Sequence, residues 1–93
     1  MYEVDTKDIL SAQNKSEDAL AKIIEANNGL IWSIVKRFSG RGYNKEDLYQ
    51  LGCIGLIKAI QRFDVNFNVR ISTYAVPYII RRDKKIYKRW WTN

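Results

Sequence analysis

Hydrophobic residues recur along most of the chain at the three- and four-residue spacing of an amphipathic α-helix, and alternation with a period of two is nowhere sustained. This spacing predicts a short first helix over Thr6 to Gln13. Ser16 is then typical of an N-cap, because its hydroxyl can accept a hydrogen bond from a free amide of the next helix. Two apolar stripes follow, with Asn27-Asn28-Gly29 as the predicted interruption between them: Ala19, Leu20, Ile23 and Ile24, then Leu30, Ile31, Ile34, Val35 and Phe38.

The middle of the chain carries clear signals for the end of one helix and the start of another. The second stripe runs to about Ser39, and Gly40-Arg41-Gly42 is expected to break the helix there. Asn44 with Asp47 three residues later resembles a capping box. These positions predict a long helix that ends near Arg62.

The last third of the chain predicts a loop at residues 63–70 and one more helix. Ser72 is the expected cap of this helix, which runs toward Trp90. Pro77 lies in its first turns and lacks a backbone donor, so the helix is expected to start late or to bend. The sequence therefore predicts an all-α fold, a compact bundle of four to five helices without strands. We expect a single domain over residues 1–93, divided into an N-terminal helix or extension (1–15), a core (16–80) and a basic aromatic end (81–93).

The long helix carries two glycines, each of which costs about 1 kcal/mol relative to alanine inside a helix. At about 100° per residue, one narrow line of this helix contains Leu48, Gly52, Gly55 and Ala59. Small residues on one line allow the backbone of another helix to approach closely, and this packing can offset the cost of the glycines. We therefore predict a close helix crossing at this line.

The opposite side of the same helix is also apolar. It carries Ile54 and Ile57 between Gln50 and Gln61, with Cys53 beside them. A helix that is apolar on nearly all sides is expected to be buried on nearly all sides, which so small a bundle can hardly achieve. Two explanations stay open at this point: an N-terminal helix covers the second face, or a partner protein covers it.

Composition limits the chemistry that the chain can perform. Its 93 residues suffice for one modest core, and 46% hydrophobic with 28% charged residues is ordinary for a globular domain. Cys53 is the sole cysteine and histidine is absent, which excludes an internal disulfide and a zinc site of the usual nitrogen and sulfur type. We expect no cofactor. The apolar runs are too short to cross a bilayer and the first residues are polar and acidic, so we expect a cytoplasmic protein without a signal peptide or a membrane partner.

The net charge of +6 is concentrated in the last quarter of the chain. Residues 1–69 carry nine lysines and arginines and nine carboxylates, which cancel. Residues 70–93 carry seven cations against Asp83 alone. Such a basic block favours binding to a polyanion, because each phosphate contact releases counterions. The alternative is a solvated and partly frayed tail.

Aromatic residues are interleaved with this basic block. Rings that can stack on bases, placed among phosphate-binding cations, are typical of single-strand nucleic-acid binding. The last helix would place Tyr74 and Tyr78 a turn or two before one basic stripe, which consists of Arg81, Lys84, Lys85 and Lys88. The alternative is that the tyrosines belong to the core and that the charges are solvated.

Three segments carry a resemblance to a known family. The run from Asp47 to Ala59, the pair Phe63-Asp64 and the run Ser72-Thr73-Tyr74-Ala75 resemble conserved region two of the main family of bacterial RNA polymerase sigma factors. The forms Gly-Cys-Ile-Gly-Leu and Ser-Thr-Tyr-Ala-Val-Pro are most similar to the sporulation-type sigma factors of Gram-positive spore formers. The resemblance spans roughly residues 16–80.

This resemblance implies two surfaces on a compact helical domain. The long helix would dock on the clamp of the largest subunit of core RNA polymerase, through the positions that match the clamp-contacting residues of the family: Asp47, Gln50, Leu51, Cys53 and Ile57. This match favours a partner protein as the cover of the second face. The last helix would hold the melted strand of the minus-ten promoter element through Arg70, Thr73, Tyr74 and Tyr78. Arg81 and Lys84 would face the upstream edge of that element, and Lys85 and Lys88 would continue the phosphate-binding stripe. Melting of this kind is capture by binding energy and involves no covalent chemistry.

The sequence departs from the family pattern in three places. Pro77 replaces an aromatic residue of the housekeeping type, although the sporulation type has it too, and Asp83 stands where the family prefers an apolar residue. The chain also stops at Asn93, before the later regions that include a helix-turn-helix. The sequence is therefore compatible with a fragment, with half of a split sigma factor whose second chain supplies the missing regions, or with a degenerate relative.

These departures keep alternative functions open. The main alternative is a regulatory protein that occupies the polymerase clamp or an anti-sigma factor without initiating transcription. A generic basic DNA-binding domain would explain the charged end but not the helix with Gly52 and Gly55. An enzyme is not expected, because the chain has no histidine, no phosphate-binding loop and no evident pair of nucleophile and base.

Overall fold

The computed structural model describes residues 4–38 and 44–80 of the chain, and no strand occurs in either range. Four helices are bounded within them: α1 (Thr6–Gln13), α2 (Glu17–Ala26), α3 (Asn28–Phe38) and α4 (Lys45–Arg62). Residues 71–80 are helical up to the last described position and are named α5. The predicted all-α bundle is confirmed. The predicted breaker at Gly40-Arg41-Gly42 and the run of the last helix toward Trp90 lie outside the described residues.

Local capping chemistry sets the first two helices. The Asp5 carboxylate accepts a hydrogen bond from the Lys7 amide (3.1 Å) and begins α1. The Ser16 hydroxyl accepts one from the Ala19 amide (3.3 Å) and begins α2, as predicted. Between them, Lys15 adopts a left-handed conformation (φ 68°), which allows the Ser16 amide to reach the Ser11 carbonyl at 3.0 Å. This 6→1 hydrogen bond is the Schellman ending of a helix, with a lysine where glycine is usual.

The predicted interruption between α2 and α3 is wrong in its extent. Only Asn27 is non-helical, and α3 begins directly at Asn28. The Asn27 amide donates to the Ile23 carbonyl (3.1 Å) and the Asn27 carbonyl accepts from the Ile31 amide (3.0 Å). Its side-chain amide donates to the Ile23 carbonyl as well (2.9 Å). One buried asparagine therefore ends one helix and begins the next, so a wider break is unnecessary.

The line of small residues on α4 is buried, as predicted. Asn44 caps α4 by accepting from the Glu46 amide (2.8 Å), and the helix ends at Arg62 as expected. A Cβ atom at Gly55 would lie 2.6 Å from the carbonyl oxygen of Tyr78 and 3.0 Å from the Cα of Ile79. Because these are backbone atoms of α5, the predicted close helix crossing is confirmed.

The start of α5 differs from the prediction. The helix begins at Ile71, and its first turn closes with the Tyr74 amide donating to the Arg70 carbonyl (3.0 Å). Ser72 is therefore inside the helix and buried, and it does not cap it. Pro77 also lies within α5, which neither starts late nor stops there. Burial of one side of the helix on the core offsets the missing hydrogen bond; the buried residues are Ile71, Ala75 and Ile79.

A single hydrophobic core joins all five helices. Ile23 of α2, Ile31 of α3 and Leu56 of α4 are fully buried at its centre. Ile9 and Ala12 bring α1 into the same core, and Ile79 brings in α5. None of the helices in the part of the chain that the structure describes is long and apolar enough to cross a membrane. The arrangement leaves one side of α4 and one side of α5 facing outward.

Candidate protein and nucleic-acid interfaces

The outer face of α4 is the set of side chains opposite the buried glycine line: Asp47, Gln50, Leu51, Cys53, Ile54 and Ile57. Asp47 and Gln50 are exposed, whereas Leu51, Cys53 and Ile57 are half-buried. Ile54 lies at the middle of this arc and is 42% exposed. The structure thus places the five predicted polymerase-binding residues around a solvent-facing isoleucine that was not among them. Its position opposite the glycines was the signal in the sequence.

The N-terminal helices approach only one end of the outer face. The side-chain amide of Gln13 donates to the carbonyls of Ile60 (2.9 Å) and Phe63 (2.6 Å) and ties α1 to the end of α4. A groove of about 460 Å³ lies beside this contact, with Leu20 on one wall and Ile57 on the other. The first explanation for the second face therefore accounts for this end, while the end around Ile54 stays open to solvent.

Cys53 lies at the edge of the outer face that turns toward α3. Burial raises the pKa of its thiol, while a hydrogen bond with Tyr49 acts in the opposite direction. Tyr49 in turn stacks on Trp32 of α3, with ring centroids 4.5 Å apart and planes inclined by 17°. The Tyr49 hydroxyl also bonds Asn28 at 2.6 Å. Cys53 is therefore a neutral thiol at neutral pH, and this corner of the face is rigidly packed.

The aromatic cluster consists of Phe63, Phe67, Tyr74 and Tyr78. The Tyr74 ring is at its centre, with its centroid 5.3 Å from that of Phe63, 5.5 Å from that of Phe67 and 5.3 Å from that of Tyr78. Phe63 is buried, both tyrosines are half-buried and Phe67 is 44% exposed. The tyrosines therefore combine the two alternatives from the sequence, since one side of each packs on the core region and the other faces outward.

Hydrogen bonds fix the two tyrosines and keep them neutral. Their hydroxyl oxygens are 3.1 Å apart, and the Tyr74 hydroxyl also donates to the Arg62 carbonyl at 3.4 Å. The hydrogen bond with Tyr78 raises the pKa of Tyr74, and desolvation acts in the same direction. Neutral phenols do not repel phosphates, so the cluster is electrostatically compatible with a nucleic-acid strand.

Four of the predicted nucleic-acid contacts lie together on the outward side of α5. Arg70 and Thr73 are exposed, and Tyr74 and Tyr78 are half-buried beside them. The other predicted contacts lie outside the described residues: Arg81, Lys84, Lys85 and Lys88. The sequence reasoning did not select Phe67, whose only signal was an aromatic residue in a loop of turn formers. The structure places its ring in the same cluster.

Two interfaces on a five-helix bundle agree with the family comparison. The family model for Sigma-70 region 2 matches residues 23–92. The chain therefore belongs to the Sigma-70 region 2 family, and the resemblance drawn from the motifs is confirmed.

The similar curated proteins are sigma factors of the sporulation type. The chain is 51% identical over 72 residues to the RNA polymerase sigma-F factors of Bacillus licheniformis and Bacillus subtilis (strain 168). It is 50% identical over 72 residues to the RNA polymerase sigma-G factor of Clostridium acetobutylicum. Each alignment covers 77% of this chain and 28% of the relative. The chain thus spans a little over a quarter of the length of these relatives.

Proposed function

We propose that the chain is a sigma-factor domain that binds core RNA polymerase through the outer face of α4 and captures the melted minus-ten strand on the aromatic cluster. The observation that carries the proposal is the outward side of α5, where Arg70, Thr73 and Tyr74 lie within about one turn beside the aromatic cluster. The family relationship supports both parts. The domain acts by binding energy alone, without catalysis, in the cytoplasm where the polymerase works.

The outer face of α4 has the composition of a protein interface. Ile54 supplies an exposed apolar centre, while Gln50 and Asp47 supply polar groups at its rim. An apolar side chain of this kind stabilises a complex when a partner removes it from water. An anti-sigma factor or a second sigma chain that covered the same face would compete with the polymerase.

The replacement Ile54→Arg tests the polymerase interface. An unpaired charge at the centre of the interface should cost about 3 kcal/mol, or roughly a 100-fold loss of affinity for core enzyme. Leu10→Arg is the matched control, because Leu10 is an equally exposed apolar residue (44% against 42%) on α1. Normal binding by Ile54→Arg in a titration of labelled domain with core enzyme would show that the docking face is elsewhere.

The aromatic cluster offers a preformed wall for a flipped base. Tyr74 is held by rings on three sides and by two hydrogen bonds, so little side-chain entropy remains to be lost on binding. Phe67 projects next to it and extends the apolar surface. Arg70, two residues before Ser72 at the start of α5, adds a cation for the adjoining phosphate.

Strand capture is tested on the complex with core enzyme, where fluorescence anisotropy measures binding of single-stranded DNA with a minus-ten-like or a scrambled sequence. Tyr74→Ala should weaken binding of the matched strand by about 1–3 kcal/mol without changing the salt dependence. Tyr74→Phe keeps the ring and should bind nearly as the wild type. Arg70→Ala should weaken all sequences and flatten the salt slope by about one. A regulator that only occupies the clamp predicts equal binding of both strands in every variant.

A further inference from the structure

The position of Pro77 within α5 removes one hydrogen bond from a specific carbonyl. The first turn of α5 follows the usual i→i−4 pattern, with the Tyr74 amide donating to the Arg70 carbonyl at 3.0 Å. In the same pattern the Thr73 carbonyl would accept from the amide of residue 77. Proline has no amide hydrogen, so the Thr73 carbonyl loses its donor within the helix although the helix continues to residue 80.

This carbonyl lies on the outward side of α5. Thr73 and Pro77 are both exposed, whereas Ile71, Ala75 and Ile79 on the other side are buried. A proline ring pushes the carbonyl four residues earlier away from its normal direction, and carbonyls on the solvent side of a helix tilt outward. A backbone acceptor is therefore available one residue before Tyr74, the centre of the aromatic cluster.

We propose that the Thr73 carbonyl, freed by Pro77, accepts a hydrogen bond from the exocyclic amino group of the base that stacks on Tyr74. The inference rests on the proposed strand capture and adds a specificity-determining element to it. Stacking alone tolerates every base, because every base has a π-face. A fixed acceptor beside the stacking ring favours bases with an amino group at the Watson–Crick edge, such as adenine and cytosine, over thymine.

The experiment uses the complex with core enzyme and the matched single strand, in which each adenine is replaced in turn by purine, which lacks the amino group. At the captured position, the wild type should bind adenine about fivefold more tightly than purine, the value of one hydrogen bond. Pro77→Ala restores the amide donor inside the helix, so this ratio should fall to about one. Thr73→Ala keeps the carbonyl and the proline, so it should keep the ratio whatever it does to the overall affinity. Circular dichroism verifies that each variant is folded.

The outcomes separate the inference from the function on which it rests. An adenine-to-purine ratio that is the same in the wild type and in Pro77→Ala overturns the role of the carbonyl, as does a ratio that disappears in Thr73→Ala, since the hydroxyl would then be the reader. A ratio of one at every adenine in the wild type also overturns it, while a retained preference for the matched over the scrambled strand leaves strand capture intact. Loss of that preference in the wild type refutes both.

Discussion

Gly55→Ala should destabilise the domain, although alanine is the better helix former. The exchange gains about 1 kcal/mol of helix propensity. The new methyl group would lie 2.6 Å from the Tyr78 carbonyl oxygen and 2.9 Å from the Tyr78 carbonyl carbon, well below the 3.4 Å at which ordinary contact begins. These atoms belong to the backbone of α5, so the whole helix has to shift. Overpacking of this kind costs about 1–3 kcal/mol or more, and we expect a net loss of roughly 1–2 kcal/mol.

Gly52→Ala is the internal control for this prediction. A methyl group at Gly52 would meet the Cγ2 atoms of Ile31 (2.8 Å) and Ile79 (3.3 Å), which are ends of side chains that can rotate. The helix propensity gained is the same at both positions. Gly52→Ala should therefore be close to neutral, and the difference between the two variants isolates the cost of moving a backbone.

Thermal and urea unfolding followed by circular dichroism measure this difference. For a domain of this size, each kcal/mol corresponds to roughly 4–8 °C in Tm. Gly55→Ala should melt below the wild type by about that interval, with an unchanged denaturant slope. If Gly55→Ala proves as stable as Gly52→Ala, the glycine is not required by the helix crossing.

Three further predictions concern local contacts. Lys15→Gly should raise the free energy of unfolding by about 1 kcal/mol, because glycine adopts the left-handed conformation (φ 68°) without strain; urea unfolding measures it. Gln13→Ala should lower it by about 1–3 kcal/mol, since two carbonyls at the end of α4 lose their donor, and Gln13→Glu, whose carboxylate cannot donate, should be no better in the same assay. Tyr49→Phe should raise the pKa of Cys53 further, because the hydrogen bond from Tyr49 lowers it, so alkylation of the thiol at fixed pH should slow.

Elements controlled by local chemistry were predictable from the sequence. Ser16 and Asn44 act as caps because their short polar side chains bond amides two or three residues away. The glycine line of α4 was visible because helical geometry alone places Gly52 and Gly55 together. Ser72 misled the prediction, since a serine just before an apolar run has the same local pattern whether it caps a helix or is buried in its first turn.

Features that depend on distant parts of the chain were not predictable. Asn27 replaces a wider break because it is buried between two helices and all its printed bonds run along the chain direction of both. Phe67 is in the aromatic cluster because the loop folds back onto Tyr74, which no local pattern indicates. The exposure of Ile54 follows from where α1 and α2 pack, and the sequence left that choice open.

The contact made by Gln13 shows that the unit of folding is larger than the unit of family resemblance. The family match begins at residue 23, in the middle of α2 (Glu17–Ala26), whereas Gln13 holds carbonyls 47 and 50 residues further along the chain. A fragment cut at the family boundary would keep every matched position and lose the clasp at the end of α4. The loosened segment would be the one that starts at Phe63, the buried base of the aromatic cluster, so damage at one terminus would be felt at the opposite end of the sequence.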